Sequence, residues 1–283
     1  MEPHSQFITV DGIKLHIADW GGSGPELLLL HAGGFLGWVY RAMSARLVAH
    51  YHVLTMDLRG HGDSEKPSAE DFHWRHMARD VEGVIAHLGL RDFYGIGHSG
   101  GGALLAYYVA THPGRAQRLA LMEPVIIPHE RAFLKRMGPR DAFIERARRR
   151  REIWDSRQQL FAAYQGKDAF ASWREDVLWD YVNHGTYDLS DGRIALKCPA
   201  EIEAQLFANT TSLDIFSQIV KIDCPVLVLR GAHTDAPLAL VAKRVAQRIP
   251  QGSLVIVPDT GHFLAMEKPE AVAEIIEKYF QGG

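Results

Sequence analysis

Phe93-Tyr94-Gly95-Ile96-Gly97-His98-Ser99-Gly100-Gly101-Gly102-Ala103-Leu104-Leu105-Ala106-Tyr107-Tyr108-Val109-Ala110 changes character at a single serine. The short apolar run Phe93–Ile96 reads as a buried strand, and the longer run after Ser99 reads as a helix that stops before Pro113. A chain that passes from strand to helix across Gly97-His98-Ser99-Gly100-Gly101 must turn so tightly that the serine is held in a strained backbone conformation. Side chains two positions before and two after it would meet neighbouring backbone, which accounts for glycine at 97 and 101. The turn lifts the hydroxyl clear of the sheet edge. It also aims a helix N-terminus at whatever the serine attacks, which favours developing negative charge.

Outward from this turn, short apolar runs alternate with helical stretches. The runs are Leu27–Leu30, Val53–Met56, Phe93–Ile96, Leu119–Met122, Val226–Leu229 and Leu254–Val257. They read as strands buried on both faces. Helical spacing of apolar residues occupies the regions near 37–50, 70–89, 101–112, 237–249 and 268–281. At the start, Asp11-Gly12 between Phe7–Val10 and Lys14–Ala18 predicts a β-hairpin. The alternation predicts an α/β fold with a mostly parallel, doubly wound sheet. From 125 to 217 no convincing buried strand is present, and the composition shifts to Arg146, Arg148–Arg151, Trp154, Trp173 and Trp179. A mainly helical insertion is expected there, between core segments 1–124 and 218–283. Its arginines read as a solvated helix face, with a basic binding patch as the alternative, and its tryptophans as packing residues, with a place in a pocket wall beneath the insertion as the alternative.

Composition narrows the function classes. The chain has 283 residues and a net charge of −3, so no basic field draws it to nucleic acid or to an anionic membrane. No apolar run approaches the ~20 residues that span a bilayer, and the N-terminal residues lack the pattern of a secretory signal. A cytoplasmic protein is expected. Cys198 and Cys224 form no framework and no metal-ligand spacing, although one disulfide between them stays open.

Three further segments carry candidate chemistry. His31-Ala32-Gly33-Gly34 follows the Leu27–Leu30 strand, and a glycine loop there can offer backbone N–H groups to an oxyanion. The N–H of Gly33 is expected to act with that of Gly100, with Gly34 as the fallback and His31 as a brace for the loop. A serine needs a base to take its proton. Of fifteen histidines, His262 in Gly261-His262-Phe263 lies just past the Leu254–Val257 strand, on the edge where α/β sheets bind ligands. His61 and His98 are minor alternatives. The base needs an acid, and Asp235, in Gly231-Ala232-His233-Thr234-Asp235 past the Val226–Leu229 strand, is preferred; Ser99, Asp235 and His262 then stand in the order nucleophile, acid, base. Glu123, at the end of the Leu119–Met122 strand, competes for the role.

With these motifs, Asp57-Leu58-Arg59-Gly60-His61-Gly62-Asp63-Ser64 and Thr260-Gly261-His262-Phe263, the chain resembles an alpha/beta-hydrolase with a helical cap domain. The likeness covers 7–124 and 218–281, and covers the insertion by position only. It implies a serine hydrolase in which Ser99 attacks, His262 is the base and the 31–34 loop forms half of the oxyanion hole. The expected reaction is cleavage of a carboxylic ester through an acyl-enzyme, without cofactor or metal. The expected substrate is a small, partly apolar ester-like molecule. A lactonase, a carbon–carbon-bond hydrolase or a perhydrolase would use the same residues. Epoxide hydrolase and haloalkane dehalogenase chemistry is disfavoured because those relatives use a carboxylate nucleophile. A non-catalytic binding module is the rival from another class. The chain departs from the family pattern in two places: His31-Ala32 stands where many members have His-Gly, and Asp235 lies four residues after Gly231 where three is usual, which keeps Glu123 in contention.

Overall fold

The computed structural model describes residues 1–68, 72–137 and 141–282. A hairpin of β1 (His4–Val10) and β2 (Ile13–Gly21) turns at Asp11-Gly12, where both residues have positive φ. It leads into β3 (Glu26–Leu30), α1 (Arg41–Leu47), β4 (His52–Met56), α2 (Trp74–His87), β5 (Phe93–His98), α3 (Gly100–Thr111) and β6 (Ala116–Met122). The helix expected near 70–89 is α2, and its expected first residues, 70 and 71, lie outside the described residues.

The segment between β6 and the later core carries α4 (Arg131–Met137), α5 (Asp141–Arg148), β7 (Ile153–Trp154), α6 (Arg157–Gln165), α7 (Glu175–His184), β8 (Thr186–Asp188), β9 (Ile194–Leu196) and α8 (Ala200–Ala208). The core then resumes with β10 (Val226–Gly231), α9 (Ala236–Arg248), β11 (Gly252–Val257), α10 (Leu264–Glu267) and α11 (Pro269–Phe280).

Eight strands form one sheet in the order β1-β2-β4-β3-β5-β6-β10-β11. The pairs from β4 to β11 run parallel, and β2 is antiparallel to both of its neighbours. Side chains alternate across a strand, so Leu28 and Leu30 enter one apolar cluster while Leu27 and Leu29 enter the other, and all four are fully buried. This is the doubly wound arrangement predicted from the continuous apolar runs. β11 differs from its expected two-sided burial. As the last strand it lies at an edge, and Ile256 is 48% exposed.

The 125–217 segment is mainly helical but also holds a small antiparallel sheet, β7-β9-β8. Strands of two and three residues carry too little alternation to register in a sequence pattern. Trp154 and Trp173 are buried, and Trp179 stacks on Phe161 with ring centroids 4.2 Å apart. Cys198 and Cys224 are both buried free thiols. Among the described residues no helix is long and apolar enough to cross a membrane.

Candidate active site

Ser99 is the N-cap of α3 and has φ 53° and ψ −117°. Its backbone is fixed on both sides. The N–H donates to Met122 O at 2.9 Å, and the carbonyl accepts from Ala103 and Val125. A Cβ at Gly97 would stand 2.5 Å from Gly102 Cα, and one at Gly101 would stand 2.6 Å from Leu30 O. The steric account of the two glycines therefore holds, and the serine is left half-buried between fully buried neighbours.

Three strand ends bring the other groups to the same rim. His262 follows β11. Glu123, immediately after β6, is 2% exposed, and its Oε2 lies 3.5 Å from His262 Nδ1. The other carboxylate oxygen accepts hydrogen bonds from the Gly231 N–H at 2.6 Å and from the Thr234 hydroxyl. Gly231 is itself a close-approach position, because a Cβ there would run into the carbonyls of Thr260 and Gly261 that carry His262.

The preferred acid, Asp235, does not reach the imidazole. It is exposed, caps α9 without a side-chain hydrogen bond, and forms no ion pair among the described residues. With Pro237 in the first turn, the chain after Gly231 goes directly into α9, and Asp235 is carried to the cavity wall instead of to His262. The competing residue, Glu123, occupies that place.

His262 Nδ1 is buried and has no full hydrogen bond, with Glu123 as its neighbour. No hydrogen bond joins the Ser99 hydroxyl to the imidazole, although both residues line the same cavity of about 1580 Å³. Such contacts are often long before substrate binds.

The three other histidines near the motifs are saturated. His31 donates from Nδ1 to Ala32 O and accepts at Nε2 from the Leu58 N–H, so it braces the loop as expected. His61 donates to Arg59 O and accepts from the Gly34 N–H at 3.0 Å. His98 donates from Nε2 to the His262 carbonyl and accepts at Nδ1 from the Tyr40 hydroxyl, which in turn accepts from the Ala32 N–H. This series ties the 31–34 loop to the backbone of His262. Because the Gly34 N–H is engaged, the fallback donor is removed. Gly33 and Gly100 both line the cavity, and Gly100 opens α3, where the first N–H groups have no partner within the helix.

Behind the loop, Asp57 accepts from His16 and from the Gly37 N–H. Burial raises its pKa, but the hydrogen bond and charge of His16, the His31 charge and the Gly37 amide outweigh burial and hold the carboxyl at about 2. Among the described residues only His16, Asp57 and Asp63 bring ligand-type atoms together, and these are engaged with one another and, through Asp63, with Lys197.

The saturated histidines have a measurable consequence. Burial, helped by the His61 charge, lowers the pKa of His31 to about 4. Burial and the His262 charge lower that of His98 to about 3. The unfolded chain protonates both near 6.5, so below that pH it binds protons that the fold refuses. Their stabilising contribution is complete above 6.5 and is lost as the pH falls toward 4 and 3. The urea midpoint should therefore drop steeply between pH 6.5 and 4, by several kcal/mol in stability. His98→Gln should lower stability at pH 7 yet flatten that slope, and an unchanged slope would contradict the assignment.

Comparison with known proteins agrees with this architecture. The model of the alpha/beta hydrolase family matches residues 27–275. A soluble epoxide hydrolase of Corynebacterium sp. (strain C12) is 28% identical over 96% of this chain and 95% of its own length. A bifunctional esterase/perhydrolase of Acinetobacter calcoaceticus is 26% identical over 95% of each. Among solved structures, E-2-(acetamidomethylene)succinate hydrolase superposes with a TM-score of 0.84 over 99% of this chain and all of its own, and at 21% identity that is a likeness of fold. With its strained serine at the strand-to-helix turn, and with the family's model matching from the third strand to the last helix, the chain belongs to the alpha/beta hydrolase family.

Proposed function

We propose that this protein is a serine hydrolase that cleaves an ester, or a closely related acyl compound, with Ser99 as nucleophile, His262 as base and Glu123 as the acid. The observation that carries the reading is the buried Glu123 carboxylate against His262 Nδ1 beside the Ser99 turn. Ser99 Oγ attacks the carbonyl while His262 Nε2 takes its proton. The buried carboxylate stabilises the imidazolium and keeps Nδ1 protonated. The oxyanion accepts the N–H groups of Gly33 and Gly100, each worth about 3 kcal/mol in a preorganised site. His262 returns the proton to the leaving alcohol, then activates water to release the acid. The 125–217 segment acts as the cap domain over this centre, on a core of 1–124 and 218–283.

The relatives' names span epoxide hydrolase and esterase/perhydrolase. Serine at position 99 favours the acyl route over a carboxylate-nucleophile route. A lactone or a carbon–carbon bond next to a carbonyl could enter the same sequence of steps, and substrate selection then rests with the cap. The test is direct. A fluorophosphonate probe should label the native chain once, at Ser99, with loss of aryl-ester turnover in step with labelling. Full turnover in a fully labelled sample, or labelling elsewhere, would remove Ser99 from the role.

A further inference from the structure

The arginine run does not lie wholly on a solvated face. Arg148 bridges Glu145 and Glu201 at the surface, but the Arg150 side chain is only 14% exposed and lines the cavity. One Nη pairs with Glu203 at 2.7 Å, and the other donates to Cys198 O at 2.6 Å. Its Nε is buried and has no hydrogen-bond partner. Beside it on the cavity wall, Tyr164 is 1% exposed and its hydroxyl is likewise unpartnered. Lys167 holds its ammonium 4.1 Å from the Tyr164 ring centroid and makes no ion pair among the described residues.

We propose that Arg150, Lys167 and the Tyr164 hydroxyl form a carboxylate subsite, so that the substrate carries a free carboxylate a short chain away from the bond cleaved at Ser99. The inference deepens the acyl-transfer reading and rests on it. Two buried N–H and O–H groups without partners are costly unless a ligand meets them. A planar carboxylate suits a guanidinium with an idle N–H.

The charge count agrees. Arg150 and Lys167 stand against Glu203, and over the whole cavity wall Arg146, Arg149, Arg150, Arg151 and Lys167 face Glu145, Asp168, Glu203 and Asp235, so cations are in excess. Burial lowers the Lys167 pKa and the Arg150 charge pushes it the same way, with Glu203 opposing. Asp168 and Asp235 are exposed, as is Lys167, but neither carboxylate pairs with Arg150 or Lys167.

Position links the subsite to the chemistry. A Cβ at Gly34 would stand 2.6 Å from Glu203 Oε1, so the Glu203–Arg150 pair lies against the oxyanion loop. A ligand carboxylate on Arg150 and a carbonyl held at Gly33 therefore share one cavity wall, and the length of the acid that bridges them is what the test below reads.

The test compares para-nitrophenyl hydrogen succinate, glutarate and adipate with their neutral methyl esters. The native chain should prefer at least one acid over its methyl ester by about tenfold or more in kcat/KM, chiefly through KM. Lys167→Met and Arg150→Lys should each cut that ratio by about fivefold or more. The ratio within one variant cancels any loss of folded protein. Glutarate binding to Ser99→Ala, read by calorimetry, reports the subsite without turnover and should be lost on adding Lys167→Met.

If the neutral esters are cleaved with no preference for any acid, and glutarate does not bind, the subsite is overturned while the hydrolase reading stands. If no ester is cleaved and Ser99 resists the fluorophosphonate, the hydrolase reading fails, and with it the proposal that the carboxylate belongs to a substrate of Ser99.

Discussion

Ser99→Ala should fold as the native chain does and lose aryl-ester turnover by about ten-thousand-fold or more. The serine side chain makes no hydrogen bond that the fold relies on, since the turn is held by backbone contacts to Met122, Ala103 and Val125. Alanine keeps the Cβ and therefore keeps the strain of φ 53° and ψ −117°. Such a conformation costs about 1–3 kcal/mol in a residue other than glycine. Ser99→Gly should accordingly be at least as stable as Ser99→Ala, despite the higher chain entropy of glycine when unfolded. A thermal melt and a rate measurement on the three proteins check this. Turnover surviving in Ser99→Ala would contradict the nucleophile, and a Ser99→Gly less stable than Ser99→Ala would contradict the strain.

The parts legible in the sequence were those set by local sterics and by burial on both faces of a strand. Leu27–Leu30 has no polar side chain to place in water, so a short run of this kind between turn residues reads as a strand buried on both faces. The glycines at 97 and 101 announce the turn because nothing else fits. The acid was less legible. Asp235 and Glu123 both follow strands that end at the same rim, and both lie between Ser99 and His262 in the chain, so order alone does not separate them. The choice turns on which way one carboxylate leaves its strand. Glu123 has φ 48° and its N–H on Leu229 O, and this left-handed step turns it inward. No residue-type preference signals such a step at a glutamate. Tyr40 and Thr234 were invisible for a related reason: each acts by a hydrogen bond to a residue far along the chain. Arg150 was read with its run because a solvated arginine and one turned into a cavity have the same sequence neighbours.

Glu123→Gln should reduce kcat by about a thousand-fold or more, while Asp235→Asn should change it by less than about tenfold. The amide is close in shape to the carboxylate. Its oxygen can still accept from the Gly231 N–H and the Thr234 hydroxyl, so the strand end stays in place. What changes is the group opposite His262 Nδ1. A carboxylate 3.5 Å away favours a protonated Nδ1 and leaves Nε2 free to take the serine proton. An NH2 group there donates instead, favours the opposite tautomer, and puts the proton on the nitrogen that must act as base. It also withdraws the negative charge that stabilises the imidazolium. Asp235 is solvated and makes no ion pair among the described residues, so its effect on His262 is screened by water. Rates for both variants above pH 7, with melts to confirm folding, decide the matter. A larger loss in Asp235→Asn than in Glu123→Gln would move the acid role to α9 and would require the chain after Gly231 to rearrange when substrate binds.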